Sequence, residues 1–563
     1  MKYIVISSLL VAVMGLTFYS CSEDFLDTPP QGSLDQQTLA SGVAGVETSL
    51  VSAYKSLHGW TGDWGNGGPW GASPMHQIFG SYASDDAYTG TEPSDGPDQR
   101  QIELYQWTSS NPNLNDKFVR VYEGIARSNA TIKLASGLDD KTQADRITGE
   151  ATFLRAHFHF DAWKMWKNVP HYTQDDTDFR KPNDVDILPL IIADLETAIS
   201  LLPADQNETG RVDKSGAQAL LGRVLLYAQD FSGAKSQLDA VVNSGKYGLH
   251  DCFHNNFLES EENGVESVFS IQFSVNDGSA DGHNARFADR LGMPHAGSPF
   301  GCCGFHQPSQ NLVNAFKTDA NGLPLIGSFN DSDVDFATDN VDPRLDWTVS
   351  RDGVPVLDRG VHEASWIRSR DYAGPYSPKK SLYPSSASGQ SGTWSGNQLH
   401  GANYDLIRYA DVLLMLAEAE VETGNLERAR ELVNMVRMRA GNCAQGADAA
   451  YITTPDDPSI TWANYNVGTY DDAWTDAAAA RAAVRMERRL ELGMEGWRWF
   501  DLVRWGVLES TMNAYFAVEE GKRPYLSEHS AVEAKHNMYP LPNTQVQLSS
   551  VNGEPQIKQN PGY

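Results

Sequence analysis

The chain has 563 residues, of which 40% are hydrophobic, enough for the large core of a soluble globular protein. Its formal net charge is −29, from 73 acidic and 44 basic residues. No cluster of Lys and Arg interrupts this acidity, which argues against binding to the phosphates of a nucleic acid.

The N-terminus has the pattern of a secretory signal. Lys2 is followed by the apolar run YIVISSLLVAVMGLTFYS, which is too short to span a bilayer, and then by Cys21. A cysteine at this point is similar to a bacterial lipoprotein signal, which predicts a signal peptide over 1–20 and lipidation of Cys21. The acidic SEDFLD that follows resembles the surface-export tag of Bacteroidetes lipoproteins. Phe18 and Tyr19 are unusual before a lipidated cysteine, so an ordinary signal peptide is the alternative.

Residues 59–71, GWTGDWGNGGPWG, are predicted to form a loop, because Gly and Pro break helix and strand patterns. The segment contains Trp60, Trp64 and Trp70, with Asp63 and Asn66 between them. Tryptophan exposes much apolar surface when it stands on a loop. Three such rings in one glycine-rich loop therefore favour a ligand-binding role for at least some of them.

Helical periodicity predicts helices over 36–57, 116–136, 142–168, 185–202 and 476–496. Two further stretches, SGAQALLGRVLLYAQDFSGAKSQLDAVV and YADVLLMLAEAEVETGNLERARELVNMVRMRAG, share the register of a tetratricopeptide helix pair. Small residues such as Gly222, Ala234, Ala417 and Ala429 would let the paired helices approach closely. Because the two stretches are far apart, we expect helix pairs gathered from distant parts of one domain.

Two clusters have the spacing of metal sites. His157, His159 and Asp161 in HFHFD would share a face on a strand, but the surrounding pattern is helical, so structural histidines are favoured. In DSDVDFATDNVD, the residues Asp331, Asp333 and Asp335 resemble a calcium loop, with Asp342 in the twelfth position. Phe336 stands where such a loop requires glycine. An acidic loop without an ion is favoured, and a structural Ca²⁺ is the alternative.

Gly, Ser, Pro, Asp and Asn dominate residues 245–400, and only short runs such as SVFSIQF and LDWTVS indicate strands. This region contains Cys252 and the adjacent pair Cys302 and Cys303 of FGCCGF, and Cys443 follows later. In an oxidising compartment these four cysteines allow three pairings. A bridge between Cys302 and Cys303 and two free thiols both remain open.

No motif of nucleophilic, zinc or phosphate chemistry is present in the sequence. In RMERRLELGMEGWRWFDLVRWG, the residues Glu487, Glu491 and Glu495 share one helical face. Arg488, Arg489 and Arg498 stand at pairing distance along the helix, which predicts an exposed ion-pair helix rather than a catalytic site. A glycosidase needs only two carboxylates brought together by the fold, so the sequence alone does not exclude one.

Five segments together resemble the SusD/RagB family of outer-membrane nutrient-uptake lipoproteins. They are FLDTPPQGSL, GEATFLRAHFHFDAWKMW, RYADVLLMLAEAEVETGN, ERRLELGMEGWRWFDLVRWG and MYPLPNTQVQLSSVNGEPQIKQNPGY. The resemblance implies a mostly α fold in which tetratricopeptide-like helix pairs pack against a loop-rich half with short β-strands. Residues 21–290 would be its N-terminal region and 291–563 its C-terminal region, both in one compact domain.

The resemblance also implies a function without catalysis and without a cofactor. Such proteins sit on a SusC-like TonB-dependent β-barrel transporter and capture oligosaccharides, or peptides in some members. We therefore expect a lipid-anchored protein at the cell surface, facing outward from the outer membrane. The other classes considered are an all-α surface glycoside hydrolase and a scaffold that binds only proteins.

The loop-rich half is predicted to carry the glycan site, because sugars stack their C–H faces on aromatic rings and bind polar groups through their hydroxyls. The segments ASWIRSRDYAGPY and SGTWSGN repeat the mixture of residues found in the tryptophan-rich loop. The predicted site residues are Asp63, Trp64, Asn66, Trp70, Phe300, Cys302, Cys303, Trp366, Arg368, Arg370, Tyr372, Trp394 and Tyr404. The alternative for each ring is that it packs the loops onto the helical core.

Overall fold

The computed structural model describes residues 42–59, 69–279, 283–295, 297–387, 399–447 and 452–563. The predicted signal peptide and Cys21 lie outside these residues. Among the helices that are described, none has both the length and the apolar composition needed to cross a membrane.

Helices form where the sequence predicts them, and polar caps fix several of their starts. The α-helices are α1 Gly42–Lys55, α2 Pro97–Glu103, α3 Pro112–Ala135, α4 Lys141–Trp166, α5 Leu188–Leu201, α6 Lys214–Tyr227, α7 Phe231–Asn243, α8 Gln310–Ala315, α9 Leu345–Thr348, α10 Arg370–Ala373, α11 Tyr409–Glu422, α12 Leu426–Ala440, α13 Ala477–Leu492, α14 Arg498–Arg504, α15 Leu508–Glu519 and α16 Asn543–Leu548. Asn111 caps α3 by accepting a hydrogen bond from the N–H of Asn113, and Asp213 and Asp230 cap α6 and α7 similarly.

The first long helices pack on their neighbours in chain order, and later contacts join helices that are far apart in the sequence. Neighbouring pairs from α3 to α7 pack on each other, and α1 packs on α3. Helix α7 then packs on α11, which also contacts α12 and α13. A Cβ on Gly222 in α6 would come within 2.6 Å of the Leu238 side chain in α7, so only glycine allows this close approach. The predicted assembly of distant helix pairs is confirmed.

The strands are short, as the loop-rich composition predicts. They are β1 Ala87–Gly90, β2 Ser267–Ile271, β3 Phe305–Pro308, β4 Lys317–Thr318, β5 Asn340–Val341, β6 Val349–Ser350, β7 Ser377–Pro378, β8 Tyr404–Arg408, β9 Ala444–Gln445, β10 Ile452–Thr453, β11 Asn464–Tyr465, β12 Ser550–Val551 and β13 Glu554–Pro555. SVFSIQF supplies β2, which pairs antiparallel with β8. LDWTVS instead forms α9 and only then β6, so its prediction as one strand was wrong.

The main hydrophobic cluster contains residues from almost the whole described chain, from Val46 in α1 to Ile557 near the C-terminus. A second buried cluster lies in the loop-rich half and includes Met293, Phe300, Trp347, Trp366, Tyr383 and Ala387.

A disulfide joins Cys252, in the loop-rich half, to Cys443, shortly after α12. Of the three possible pairings, the structure therefore has Cys252–Cys443 together with Cys302–Cys303.

The glutamates of α13 and the turn that follows it are buried, so the predicted exposed ion-pair helix was wrong. Glu491 binds Arg344, Arg408 and Arg439, which come from three other parts of the chain. Burial raises the pKa of the Glu491 carboxyl, but these three guanidinium groups outweigh it and hold that pKa below its usual range.

The two other glutamates of the predicted helix also find tertiary partners. Glu487 binds Arg344 and Arg437, and Glu495 binds Arg408 and Lys380. The predicted partners Arg488, Arg489 and Arg498 pair with Asp411, Asp501, Asp85 and Asp86 instead. A local spacing rule identifies charged groups that can pair, whereas long-range packing selects their partners.

Candidate functional site

The described residues on the two sides of the tryptophan-rich segment 60–68 come close together. Gly59 before it has φ +67°, and a Cβ at this position would overlap the carbonyl oxygen of Ala72. Only glycine allows the two ends of the loop to meet so closely. Asp63, Trp64 and Asn66 lie within this segment, outside the described residues.

Trp70 follows this segment after Pro69 and is half-buried. Its ring stacks on Phe287 with the ring centres 6.1 Å apart and the planes 7° from parallel. Leu399 packs in the same small cluster as Phe287. Leu399 also ends the second tryptophan-containing segment, 388–398, in which Trp394 lies outside the described residues. Trp70 and Leu399, the described residues next to the two predicted loops, thus belong to one cluster with Phe287.

The other end of segment 388–398 begins in the second buried cluster. Ala387 belongs to this cluster, together with Phe300 and Trp366. The Phe300 ring is fully buried, and the Trp366 ring packs against it with the ring centres 6.4 Å apart. The prediction that these two rings contact the glycan is corrected, because they fix the base of the loop instead and leave no face for a ligand.

Tyr372 and Tyr404 are also buried, so their prediction as glycan contacts is corrected. The Tyr372 ring packs on Tyr525 with the ring centres 4.2 Å apart. The Tyr404 hydroxyl donates a hydrogen bond to the carbonyl oxygen of Glu495. An aromatic residue in a polar loop sequence can pack inward or outward with the same local pattern, and here the tertiary contacts turn both rings inward.

A disulfide between the adjacent residues Cys302 and Cys303 is half-buried at the surface. The N–H groups of Cys303 and Gly304 both donate to the carbonyl oxygen of Met293, at 3.1 and 2.8 Å. His295 lies beside Gly304, whose added Cβ would be 3.2 Å from the His295 Cβ. The sequence left open a bridge between Cys302 and Cys303 or two free thiols, and the structure has the bridge.

The pairing of β1 with β3 brings acidic residues to this disulfide. The N–H of Thr91, just after β1, donates to the carbonyl oxygen of Gly304 at 2.8 Å. Glu92 and Asp95 follow, and their carboxylates bind Arg368 at 2.7 and 3.2 Å. The backbone N–H of His295 in turn donates to the carbonyl oxygen of Trp366 at 2.9 Å, close to Arg368 in the chain.

These residues form one surface, here called the disulfide face. It consists of Glu92, Asp95, His295, Cys302, Cys303 and Arg368. Partial burial lowers the pKa of the His295 imidazole, and the Arg368 charge lowers it further. No local sequence pattern indicates Glu92, Asp95 or His295, because strand pairing and backbone hydrogen bonds alone bring them together.

Of the two predicted arginines, only Arg368 belongs to the disulfide face. Arg370 binds Asp352 at 2.5 Å and is half-buried. Asp352 also accepts from the buried His362 at 2.9 Å, so this carboxylate joins Arg370 to the interior. Arg370 as a glycan contact stays a prediction, because its side chain is 32% exposed, comparable to the 37% of Arg368.

Comparison with known families covers most of the chain. The model of the SusD family matches residues 265–563, more than half of the sequence. The chain belongs to the SusD family. A second family, described as starch-binding and associating with the outer membrane, matches residues 72–226. The predicted family is thus confirmed.

Relatives of this SusD-family protein match along nearly their full length. SusD-like protein P38 of Formosa agariphila is 23% identical, over 89% of this chain and 91% of its own. A SusD superfamily protein from Bacteroides vulgatus has a TM-score of 0.68 at 21% identity and covers 93% of this chain and 99% of its own. Surface glycan-binding protein A from Bacteroides thetaiotaomicron, in complex with laminarihexaose, has a TM-score of 0.66 at 19% identity, with coverages of 92% and 99%. The predicted mostly α, SusD-like fold is confirmed.

A cavity of about 650 Å³ lies elsewhere among the described residues of this SusD-family protein. It is lined by α3, the loop 172–179 and α16, with Tyr122, Tyr172 and Phe179 among its rings. The polar side chains Asn129 and Gln174 in its wall are bonded to Arg155. Sugar hydroxyls need polar partners, and this cavity is mainly apolar, so it fits a glycan less well than the disulfide face does.

The described residues contain one group with the geometry of a metal site, His159, His171 and Asp194. Two of its three residues, His159 and Asp194, already have hydrogen-bond partners. His159 lies in α4, and its Nε2 accepts the N–H of Tyr172 while both Asp194 oxygens bind Arg155. Burial also holds the pKa of His159 well below its usual range. These contacts give His159 the structural role predicted for the histidines of HFHFD.

The acidic residues Asp331, Asp333 and Asp335 do not converge in the described structure, since they are absent from its one metal-compatible group. Asp333 binds Lys522 at 2.5 Å and also accepts from Asn314. Asp342 is fully buried against Arg344 at 2.7 Å, so it does not complete the loop. These contacts favour the acidic loop without an ion, and the structural Ca²⁺ stays an untested alternative.

Proposed function

We propose that this SusD-family protein captures oligosaccharides at the cell surface without catalysis and delivers them to a SusC-like TonB-dependent transporter. The proposal is best supported by the packing of Trp70 and Leu399, which lie next to two tryptophan-containing segments, in one cluster with Phe287. A SusD-like relative of the same fold is described as laminarin binding, and another is bound to laminarihexaose. These relatives support glycans as the ligand class.

The arrangement supplies both parts of a sugar site. Trp70, and by proposal Trp64 and Trp394 in the adjoining segments, offer rings on which a sugar face can stack. The disulfide face offers the carboxylates of Glu92 and Asp95 as hydrogen-bond acceptors. Glycines in segment 60–68 allow the backbone to approach a ligand. A shallow site made by these segments suits a chain of sugars better than a deep cavity does.

The proposal assigns the acidic groups of the disulfide face to binding rather than hydrolysis. A glycosidase needs one carboxylic acid that carries a proton at neutral pH and a second carboxylate across the scissile bond. Glu92 and Asp95 instead share the same arginine, Arg368. If the protein were a hydrolase, incubation with polysaccharide would release reducing ends, and we expect none.

The proposed delivery role requires a tether and a transporter. The N-terminal signal pattern and Cys21 support a lipid anchor, and the matching family is described as associating with the outer membrane. One acyl chain binds a membrane only marginally, whereas two or more bind stably. A Cys21→Ala protein should be lost from the outer membrane, and unchanged retention would contradict lipidation.

The transporter partner is tested on the anchored protein. Paired helices such as α11 and α12 offer a rigid face for a large and long-lived interface. Gentle detergent extraction and pull-down should recover a large β-barrel protein in near-equal amount. Repeated recovery of this chain alone would count against the partnership.

The glycan site is tested by replacing its rings one at a time. We expect Trp64→Ala and Trp70→Ala each to lower the affinity for the bound glycan at least tenfold, about 1.4 kcal/mol, in isothermal titration. Trp474→Ala is the matched control, because Trp474 is a half-buried ring packed on Tyr470 beside the helical half. Normal binding by both loop variants would place the site elsewhere.

A further inference from the structure

The cavity of about 650 Å³ beside α3 has aromatic walls that tertiary contacts hold in place. The Tyr122 hydroxyl donates to the carbonyl oxygen of Pro170 at 2.9 Å, and the Tyr172 hydroxyl donates to that of Phe179. The Tyr122 and Tyr172 rings meet edge to face, with their centres 5.7 Å apart. Because both hydroxyls bind backbone, the rings supply the cavity with apolar surface.

The side-chain amides of the wall are bonded within the protein. The oxygens of Asn129 and Gln174 accept from Arg155 at 3.1 and 2.8 Å. Gln545, on α16, donates to the side-chain oxygen of Asn115 at 2.9 Å. A protein segment would bring backbone N–H and C=O groups that need partners, and these amides are already in use. The cavity therefore suits a ligand whose body is apolar.

The charged side chains of the wall leave one cation over. Asp176 and Asp178 line the cavity and bind Lys181 and Arg180, at 2.8 and 2.9 Å. Lys133, on α3, also lines the cavity and is exposed, and it forms no ion pair within the described part of the chain. Three cations and two anions give this set a net charge of +1, in a chain with a formal net charge of −29. The set thus favours a ligand with one negative group.

The size and edge of the cavity favour a small molecule. Its volume lies within the range of about 300–1,000 Å³ that is typical of small-molecule sites. Phe179 and Leu548 line it while 67% and 58% exposed, which is unusual for such large apolar side chains. A bound apolar body would remove part of this surface from water, and that burial is the source of affinity.

We propose that this cavity binds small amphipathic anions, with an aromatic or aliphatic body against Tyr122, Tyr172 and Phe179 and one carboxylate at Lys133. None of the residues that line it belongs to the disulfide face or to the cluster around Phe287, so the site is separate from the proposed glycan site. The rings provide most of the affinity, and the ammonium group selects the charge of the ligand.

The first test uses three fluorescent probes that share one pyrene body: pyrenebutyrate, pyrenebutanol and pyrenebutylamine. On the soluble protein that lacks residues 1–21, we expect one saturable site by fluorescence anisotropy. It should bind the butyrate about three- to fivefold more tightly than the butanol, as an exposed ion pair allows, and the amine most weakly. The preference should shrink at 500 mM NaCl, because salt screens exposed charges. Equal binding of all three probes would overturn the charge selection, and no saturable binding would overturn the site.

The second test fills the cavity. Ala126 lines it from α3 and is exposed, so a larger side chain there enters the cavity without displacing the core. We expect Ala126→Trp to weaken pyrenebutyrate at least tenfold at an unchanged melting temperature. Ala514→Trp, at an exposed position of α15, is the matched control and should bind normally. Unchanged binding in Ala126→Trp would overturn the site. If that variant instead lost the β-barrel protein in the pull-down, the cavity would be a protein-docking surface.

The third test removes the cation. Lys133→Met keeps most of the apolar stem, so we expect pyrenebutanol to bind as before and the three- to fivefold advantage of pyrenebutyrate to disappear. Lys141→Met is the matched control, because Lys141 is exposed at the start of α4 and does not line the cavity. An advantage that persists in Lys133→Met, or that disappears equally in Lys141→Met, would overturn the role assigned to Lys133.

Discussion

Two arginine–carboxylate clusters in this protein use the same chemistry in opposite surroundings. Around Glu491 at the end of α13, the glutamate is fully buried and Arg408 is 2% exposed. On the disulfide face, Arg368 and its two acidic partners are 31% to 42% exposed. The inner cluster joins β8, α12 and the residue before α9 to α13, whereas the outer one joins two surface loops.

The difference shows that burial, not the pairing itself, decides what an ion pair contributes. A buried charge that loses its partner has no water to replace it, so the inner cluster is sensitive to every change. An exposed pair is solvated and screened, and it contributes little to folding. The outer cluster can therefore be changed without a large effect on stability.

The largest expected effect comes from breaking the inner cluster. Glu491→Gln leaves Arg344, Arg408 and Arg439 without a shared carboxylate in the interior. We expect a loss of about 3–5 kcal/mol in the free energy of unfolding, measured by urea denaturation. Glu92→Gln is the control on the disulfide face and should change the unfolding curve little. Equal losses in the two variants would contradict the contrast between the clusters.

The two disulfides extend the same contrast. Cys252 and Cys443 are 191 residues apart, so their bridge restricts a long loop in the unfolded chain, whereas Cys302 and Cys303 are adjacent. We expect Cys252→Ala/Cys443→Ala to lose about 2–5 kcal/mol of stability. Cys302→Ala/Cys303→Ala should lose much less and show its effect mainly in glycan titrations. A larger loss of stability in Cys302→Ala/Cys303→Ala than in Cys252→Ala/Cys443→Ala would show that the disulfide face mainly stabilises the fold.

Acid sensitivity separates buried from exposed histidines. His254 is buried, with its ring stacked on Trp347, and neither ring nitrogen has a hydrogen-bond partner among the described residues. Burial, with Lys379 and Lys380 nearby, lowers the pKa of His254 to about 3. The unfolded pKa is about 6.5, so the unfolded state binds the proton first, and stability is lost as the pH falls from 6.5 toward 3.

His254→Phe keeps the stacked ring and removes this titration. We expect the wild type to lose about 2 kcal/mol more than His254→Phe between pH 7 and pH 5, measured by denaturation at both pH values. His295→Phe on the disulfide face is the control and should change the pH dependence less, because His295 is only half-buried. Parallel pH profiles for wild type and His254→Phe would show that His254 takes up its proton in the folded state.

The smallest expected effect is that of Arg368→Ala on folding. The pair is exposed, so we expect a loss below about 1 kcal/mol at low salt. At 1 M NaCl the difference from wild type should vanish, because exposed charges are screened. The deficit of Glu491→Gln should persist at the same salt concentration. A salt-resistant loss in Arg368→Ala would place that arginine with the inner cluster.

The helical half was largely predictable because its determinants are local. Apolar periodicity and the small residues at 222, 234, 417 and 429 already specify helices that can pack closely. The loop-rich half was less predictable. Phe300, Trp366 and Trp70 are all aromatic residues in predicted loops. Phe300 and Trp366 are nevertheless buried, whereas Trp70 is half-buried. Nothing in the flanking residues records this difference, because it depends on contacts with distant segments.

By itself, the sequence determined the signal pattern, the helix pairs, the acidic charge and the family. These properties depend on composition and short spacings, which a single chain displays directly. Only the tertiary structure decided the partners of Glu491, the choice between a bridge and free thiols at Cys302 and Cys303, and the meeting of Glu92 and Asp95 with Arg368. Each of these depends on which distant residues approach each other, and that is set by packing of the whole core rather than by any local pattern.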